Sequence, residues 1–266
     1  MEPAEQLPPL PVDAFERVLC VVAHPDDVEY GASSAVAAWS AGGIEVRYLL
    51  LTRGEAGMDA VHPEETGPLR SHEQLAASAI VGVSQVEFLD YPDGTLVYSL
   101  TMRRDIARAI RAFRPDAVLV GSWEVEFAAG LNQADHRVAG LAAIDAIRDA
   151  GNRWVFPELL DEGQQPWSPR WLLVASDQQP THGVDVTGDP LEKGIASLEA
   201  HGAYLAGIPG HPSPRLMLTG ITAVQGQRLG VPHAVLLKAF DFQAPPPIAL
   251  QAMAMAQELT SQAEAT

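Results

Sequence analysis

Residues 17–23 read Arg-Val-Leu-Cys-Val-Val-Ala, a single charge followed by six apolar residues in a row. The run is too short for a helix of ordinary length and does not alternate with polar residues. It fits a strand buried on both faces, as found in the middle of a parallel sheet covered on two sides. Further strands are expected at 45–51, 86–89, 116–120, 171–175 and 184–186. Between them, 31–41, 70–81, 101–113, 136–150 and 190–205 carry helical patterning, with Gly42-Gly43, Gly82 and Pro115 as stop signals. Residues 52–69, rich in Gly, Pro and Glu, read as a long loop. Strands alternating with helices specify an α/β chain: a Rossmann-like parallel-sheet sandwich with helices on both faces and right-handed crossovers. In such sheets ligands gather beyond the carboxyl ends of the strands. The loops after Ala23, Leu51, Leu89 and Val120 are therefore expected around one crevice.

The length of 266 residues suits one such domain. Residues 1–14 read as a loose leader and 15–243 as the single folded unit. Residues 244–266 open with Pro245-Pro246-Pro247 and read as a tail or a terminal helix. Acidic side chains outnumber basic ones, 34 to 17, giving a net charge of −17. That charge disfavours nucleic acid and anionic membranes as partners. The one cysteine, Cys20, excludes an internal disulfide and a cysteine-rich metal site, and its apolar surroundings make it a buried thiol. No run is long enough to span a membrane, and the proline-rich start lacks the pattern of a secretory signal, so a cytoplasmic protein is expected. A homo-oligomer is compatible with the sequence.

Chemistry-bearing residues appear where the first strand ends, at Ala23-His24-Pro25-Asp26-Asp27-Val28-Glu29. Imidazole and carboxylate are good zinc ligands. His24 and Asp27 lie three positions apart, so one turn, stiffened by Pro25, can aim both at a point. Asp26 would then stand beside the metal, free to take a proton from the attacking water. The competing reading is that Asp26 or Asp27 caps the following helix. A third ligand is offered by His136 in Gln133-Ala134-Asp135-His136-Arg137, which follows the fourth strand and should return to the same crevice. Asp135 is expected there as a helix cap. Two histidines and one carboxylate leave an open position, the catalytic pattern for zinc.

Five segments in order, Ala-His-Pro-Asp-Asp-Val-Glu, Thr52-Arg53-Gly54-Glu55-Ala56-Gly57, Arg70 with Glu73, Tyr91-Pro92-Asp93-Gly94 and Asp135-His136-Arg137, resemble the LmbE-like, or PIG-L, N-deacetylases over roughly residues 17–205. The resemblance implies one zinc per chain, with ferrous iron as an alternative. It also implies His24, Asp27 and His136 as ligands, Asp26 as general base and Arg70 as a substrate contact. The expected activity is hydrolysis of an N-acyl, typically N-acetyl, amide of an amino sugar, glycoside or natural-product intermediate, with 15–243 as the catalytic domain. Two alternatives stand beside it: hydrolysis of another amide or ester, and a metal-containing binding protein without turnover.

One position departs from the pattern. Many members carry His-Pro-Asp-His in the second motif, and here Gln133 stands at the first histidine. Glutamine can donate a hydrogen bond to an oxyanion but cannot deliver a proton. Asp26 itself, His182 or His201 are the candidates for that proton; for the two histidines a structural role is the competing reading. Glu55 and Trp123 are candidates for lining the pocket, or for an ordinary loop ion pair and loop packing. His62, His72, His211 and His233 read as loop or surface residues. No Gly-x-Ser-x-Gly elbow, no Gly-x-Gly-x-x-Gly after the first strand and no phosphate-binding Walker loop is present.

Overall fold

The computed structural model describes residues 6–245, 248–249, 252–253 and 255–257. Its strands in chain order are β1 (Arg17–Val22), β2 (Glu45–Leu50), β3 (Gln85–Phe88), β4 (Ala117–Gly121), β5 (Glu126–Phe127), β6 (Gly130–Leu131), β7 (Trp171–Ala175), β8 (His182–Asp185) and β9 (Ala234–Asp241). The helices are α1 (Asp27–Gly31), α2 (Ser33–Ala41), α3 (Pro63–Ile80), α4 (Leu100–Phe113), α5 (Ala134–Gly151), α6 (Glu158–Asp161), α7 (Asp189–Glu199), α8 (Gly202–Ala206) and α9 (Pro214–Leu229).

Seven strands form one sheet in the order β3-β2-β1-β4-β7-β9-β8, and β5 with β6 makes a small hairpin. β1 lies between β2 and β4, parallel to both. Its residues divide by side. Val18, Cys20 and Val22 enter the core that contains Ala35, Val36 and Trp39 of α2. Leu19 and Val21 enter the core built with Met102, Ile106 and Ile110 of α4 and Ala142, Ala143 and Ala146 of α5. Both faces are covered, which is why the run is apolar at every position after Arg17.

Helices do flank both faces, and β3-β2-β1-β4-β7 is parallel as expected. The far end of the sheet departs from the expectation. β9 is antiparallel to both β7 and β8, so the sheet is mixed. Neither β9 nor α9 was anticipated. α9 carries Gly220 and Gly226 and buries only Leu218, Thr222 and Gly226, so its sequence shows little amphipathic contrast. The loop expected through residue 69 is helical from Pro63. His62 accepts from the Glu64 amide, Pro63 sits in the first turn and Glu64 and Glu65 follow, a set of start signals masked by Pro68 within the helix. The expected late helix is two, α7 and α8, broken where the fully buried His201 turns the chain.

The described part of the leader is not loose. The Leu10 amide donates to Gly183 O at 2.8 Å, the Gly183 amide donates to Pro8 O at 3.1 Å, and Leu10 is buried. β8 is an edge strand, and residues 8–10 cover part of its unpaired edge. Residues 1–5 lie outside the described residues. So does most of the tail; its described positions 248–249, 252–253 and 255–257 are helical.

One buried cation closes the α4 side. Arg111, 1 % exposed, donates to the carbonyls of Asp149, Ala150, Asn152 and Val155 at and just beyond the end of α5. Arg111→Met keeps the volume but removes all four bonds. It is expected to lower stability by roughly 2–4 kcal/mol in urea denaturation, with the m-value unchanged.

Candidate metal centre and active site

β1 ends at Val22, and the chain turns sharply at Asp26, whose φ of 89° is in the left-handed region that aspartate tolerates better than most residues. The turn is held from several directions. The Ala23 and His24 amides donate to Oδ2 of Asp27 at 3.0 and 2.9 Å, and the Asp26 amide donates to Gln74 Oε1 at 2.9 Å. With Oδ2 engaged, Asp27 presents Oδ1 outward, 3.0 Å from His136 Nε2 and 3.8 Å from His24 Nδ1. The structure thus brings His24, Asp27 and His136 together, with one potential ligand atom from each within 4.8 Å of the others.

The hydrogen bonds behind the two rings fix their tautomers. Asn132 donates through Nδ2 to Ser122 O and Glu124 O, so its Oδ1 is the acceptor for His136 Nδ1 at 3.1 Å. His136 Nδ1 therefore carries a proton, and its Nε2 faces Asp27. His24 points Nε2 at Asp93 Oδ1, 2.9 Å away, and at Asp135 Oδ2, 3.3 Å away. Its Nδ1 faces Asp27, so loss of the protons on these two facing nitrogens is what would free them for a metal. A metal-binding histidine whose other nitrogen donates to a carboxylate is the usual supporting arrangement.

His24, Asp93 and Asp135 form a second cluster in reach of a cation. Its carboxylates are already engaged: Asp135 accepts the Gly94 and Leu96 amides, and Asp93 accepts the Ala56 amide. The His24–Asp27–His136 side is the better fit, because its facing atoms lack other donors and both Asp27 and His136 are only partly buried.

The electrostatics also call for a cation. Burial opposes charge on His24, yet its bonds to Asp135, Asp27 and Asp93 push its pKa up to about 12. Burial likewise opposes charge on His136, and Asp27 raises it. Asp27 is itself held well below the usual carboxylate range; burial works against ionisation, but the two histidines outweigh it. Three aspartates converge on two imidazoles, so a divalent cation satisfies a charge deficit that neutral imidazoles would leave open.

Asp26 stands apart from the ligand cluster. Burial pushes its carboxyl up to about 6, although Arg70 pulls the other way. Arg70 Nη2 lies 3.2 Å from Asp26 Oδ2 and donates to Pro25 O at 2.6 Å; Nη1 donates to Gly54 O at 3.1 Å. The guanidinium also lies over the ring of Tyr204, 3.9 Å from its centroid.

Arg70, expected to contact substrate, is 2 % exposed, and its two terminal nitrogens are directed at Asp26, Pro25 O and Gly54 O. Glu55 is also committed internally: it accepts the Asp93 and Arg53 amides and so ties two loops together. Trp123 packs toward Gly140 of α5 rather than lining the cavity beside the cluster. Gln133 is exposed and forms the N-cap of α5 with no side-chain bond. Asp135, expected as that cap, holds His24 instead. His182 opens β8, four strands from β1 in the sheet order, with Nδ1 bonded to Thr181 and its ring edge-on to Trp171. His201 is fully buried, its Nε2 3.8 Å from Glu29 Oε2. Among the residues expected to be on the surface, His211 bonds Tyr30 through Nε2 at 2.7 Å. Sequence reasoning missed the supporting trio Asp93, Asn132 and Asp135, although each lies within the quoted motifs or one position from them.

Known proteins share sequence and fold with this chain. Residues 19–147 match the family described as PIG-L, GlcNAc-PI de-N-acetylase. The chain is 30% identical over 193 residues to diacetylchitobiose deacetylase of Thermococcus kodakarensis, covering 72% of this chain and 71% of that protein. It is 29% identical to 1D-myo-inositol 2-acetamido-2-deoxy-alpha-D-glucopyranoside deacetylase of Kineococcus radiotolerans, over 76% of this chain and 72% of the relative. The fold is similar to that of N,N'-diacetylchitobiose deacetylase from Pyrococcus horikoshii, with a TM-score of 0.79, 24% identity and 89% of each chain covered.

Two substitutions test the supports without touching a ligand. Asn132→Ala removes the acceptor for His136 Nδ1 and is expected to weaken metal affinity about 10–100-fold in chelator competition. Gly54 has φ +65° and a Cβ there would collide with the Arg70 guanidinium. Gly54→Ala is expected to cost about 2 kcal/mol or more of stability, read by denaturant titration.

Proposed function

Because the chain belongs to the PIG-L family of de-N-acetylases, we propose that it is a zinc-dependent hydrolase that cleaves the N-acyl amide of an amino sugar or a related glycoside. The observation that carries the reading is the pairing of two parts: a two-histidine, one-aspartate cluster within 4.8 Å, and the buried carboxylate of the next residue, Asp26.

His24 through Nδ1, Asp27 through Oδ1 and His136 through Nε2 would hold the metal. When bound, zinc supplies Lewis acidity that makes hydroxide available near neutral pH and stabilises negative charge on the acyl oxygen. The protein's own residues do the rest. Asp26 takes the proton from the attacking water. A carboxyl with a pKa near 6 is mostly ionised at pH 7, yet holds a proton better than an exposed aspartate does. The same carboxyl can therefore return that proton to the leaving nitrogen, a task that Gln133 cannot perform. Arg70 fixes the carboxylate through its contacts with Asp26, Pro25 O and Gly54 O. His24 is kept in position by Asp93 and Asp135, and His136 by Asn132.

Asp26→Asn is expected to retain about one equivalent of metal and to lose acyl-releasing activity by about 10²–10⁴-fold. Metal content and acetate release from a panel of N-acetyl amino sugars, with and without chelator, are the measurements. Full activity in Asp26→Asn removes Asp26 as the base; absence of metal after zinc loading removes the ligand assignment.

A further inference from the structure

A groove of about 740 Å³ starts at Asp27 and His136 and runs between α9 and the β5–β6 hairpin. Its floor is the end of the sheet, with Val22, Leu119 and Val235; Ile221 and Val224 of α9 form one wall and Phe127 of the hairpin the other. The volume falls in the range of about 300–1,000 Å³ that houses whole small-molecule ligands. An acetyl group, two carbons long, would occupy only its metal-side end.

We propose that this groove is an acyl-chain site, and that the amide cleaved can carry an unbranched apolar acyl chain of medium length. The proposal rests on the hydrolase reading above and specifies the acyl side of its substrate. In the reaction the C–N bond breaks, the water oxygen joins the acyl carbon, and a fatty carboxylic acid and a free amine leave.

Three observations select an acyl chain over a sugar. First, the groove is continuous with the candidate metal cluster, so its occupant is attached to whatever reacts there. Second, the charged side chains among its lining residues are Asp27 and Glu29, with His136 and Tyr30 the other titratable ones; Glu29 is 1 % exposed and bonded through Oε1 to Gln74 and Ser197, and the Tyr30 hydroxyl is bonded to His211. Third, much of the polar lining is already engaged. Ser33 donates to Glu29 O, Thr222 donates to Leu218 O, Gln225 accepts the Leu236 amide, and Asn132 is bonded as described. A sugar would meet few free partners for its hydroxyls, whereas a hydrocarbon chain asks for none. At the rim, Ile221 and Val224 are 42% and 65% exposed, apolar surface that such a chain would cover.

The test is an acyl-length series. kcat/KM of the zinc-loaded protein is measured on glucosamine carrying N-acetyl, N-butanoyl, N-hexanoyl and N-octanoyl groups. Each added methylene is expected to raise it by up to about fourfold until the groove is filled. The octanoyl-to-acetyl ratio should exceed tenfold. A Cβ at Gly220, which lines the groove, meets no atom within 4 Å. Gly220→Phe is therefore expected to insert into the groove and lower that ratio at least tenfold. Ala129→Trp tests the opposite wall, should the first variant fail to fold. A binding measurement stands apart from turnover: Asp26→Asn is titrated calorimetrically with N-octanoyl- and N-acetylglucosamine. Acetate release with a flat length profile and equal binding overturns the acyl site and leaves the deacetylase reading intact. Tighter octanoyl binding, lost in Gly220→Phe, without hydrolysis of any substrate supports the site and removes the hydrolase reading. Neither turnover nor selective binding overturns both.

Discussion

The buried guanidinium of Arg70 is the contact on which the site depends. Four separate pieces of chain meet it: the Pro25–Asp26 turn after β1, the Gly54 loop after β2, its own helix α3, and Tyr204 of α8. The Asp26 turn has a left-handed residue, and the Gly54 loop has room for no side chain against Arg70. A guanidinium with fixed fork geometry can serve several acceptors at once, which a lysine cannot. Removing one side of such a buried pair leaves the other charged and unsolvated, a cost of about 3–5 kcal/mol. The arrangement therefore explains why a short loop of mixed polarity can hold a strained turn at the end of an apolar strand.

From that anchor the polar side of the site is built outward in layers. Arg70 sets Asp26; the backbone amides of Ala23 and His24 set Asp27; Asp93 and Asp135 set His24; Asn132 sets His136. Each facing atom has its orientation determined by a bond on its far side. This separates the cluster from an ordinary patch of surface acids. It also shows why the two halves of the supporting shell come from distant segments: Asp93 follows β3, whereas Asn132 and Asp135 flank the start of α5, and both reach the crevice because parallel strands deliver their following loops to the same end of the sheet.

Much of this was legible in the sequence, for identifiable reasons. The strand β1 is apolar at every position after Arg17 because both its faces are covered, and that signal is hard to mimic. The grouping of His24, Asp27 and His136 followed from topology, since the loops after β1 and β4 must adjoin. The supporting residues were less legible because Asp93 and Asp135 also suit turns and caps, and spacing cannot tell a turn former from a histidine partner. The burial of Arg70 was not legible because burial of a charged helix residue depends on the loop folded over it. α9 was missed because it buries only three residues, and β9, which directly follows it and runs antiparallel to its neighbours, was missed with it.

Those two illegible elements bear on specificity. The polar cluster is made by the parallel strands and their loops, where the sequence signals were strong. The apolar groove is lined by α9, the hairpin, the start of β9, residues 28–34 and the ends of β1 and β4, and α9 and the hairpin contribute walls rather than chemistry. α9 is weakly patterned because the face it turns to the groove is apolar while little of that face is packed against protein. A helix of that kind is expensive to leave uncovered in a molecule whose surface is otherwise strongly acidic. The weak patterning and the open groove are thus one feature seen twice: the residues that fail to mark α9 as a packed core helix are those left to meet a ligand.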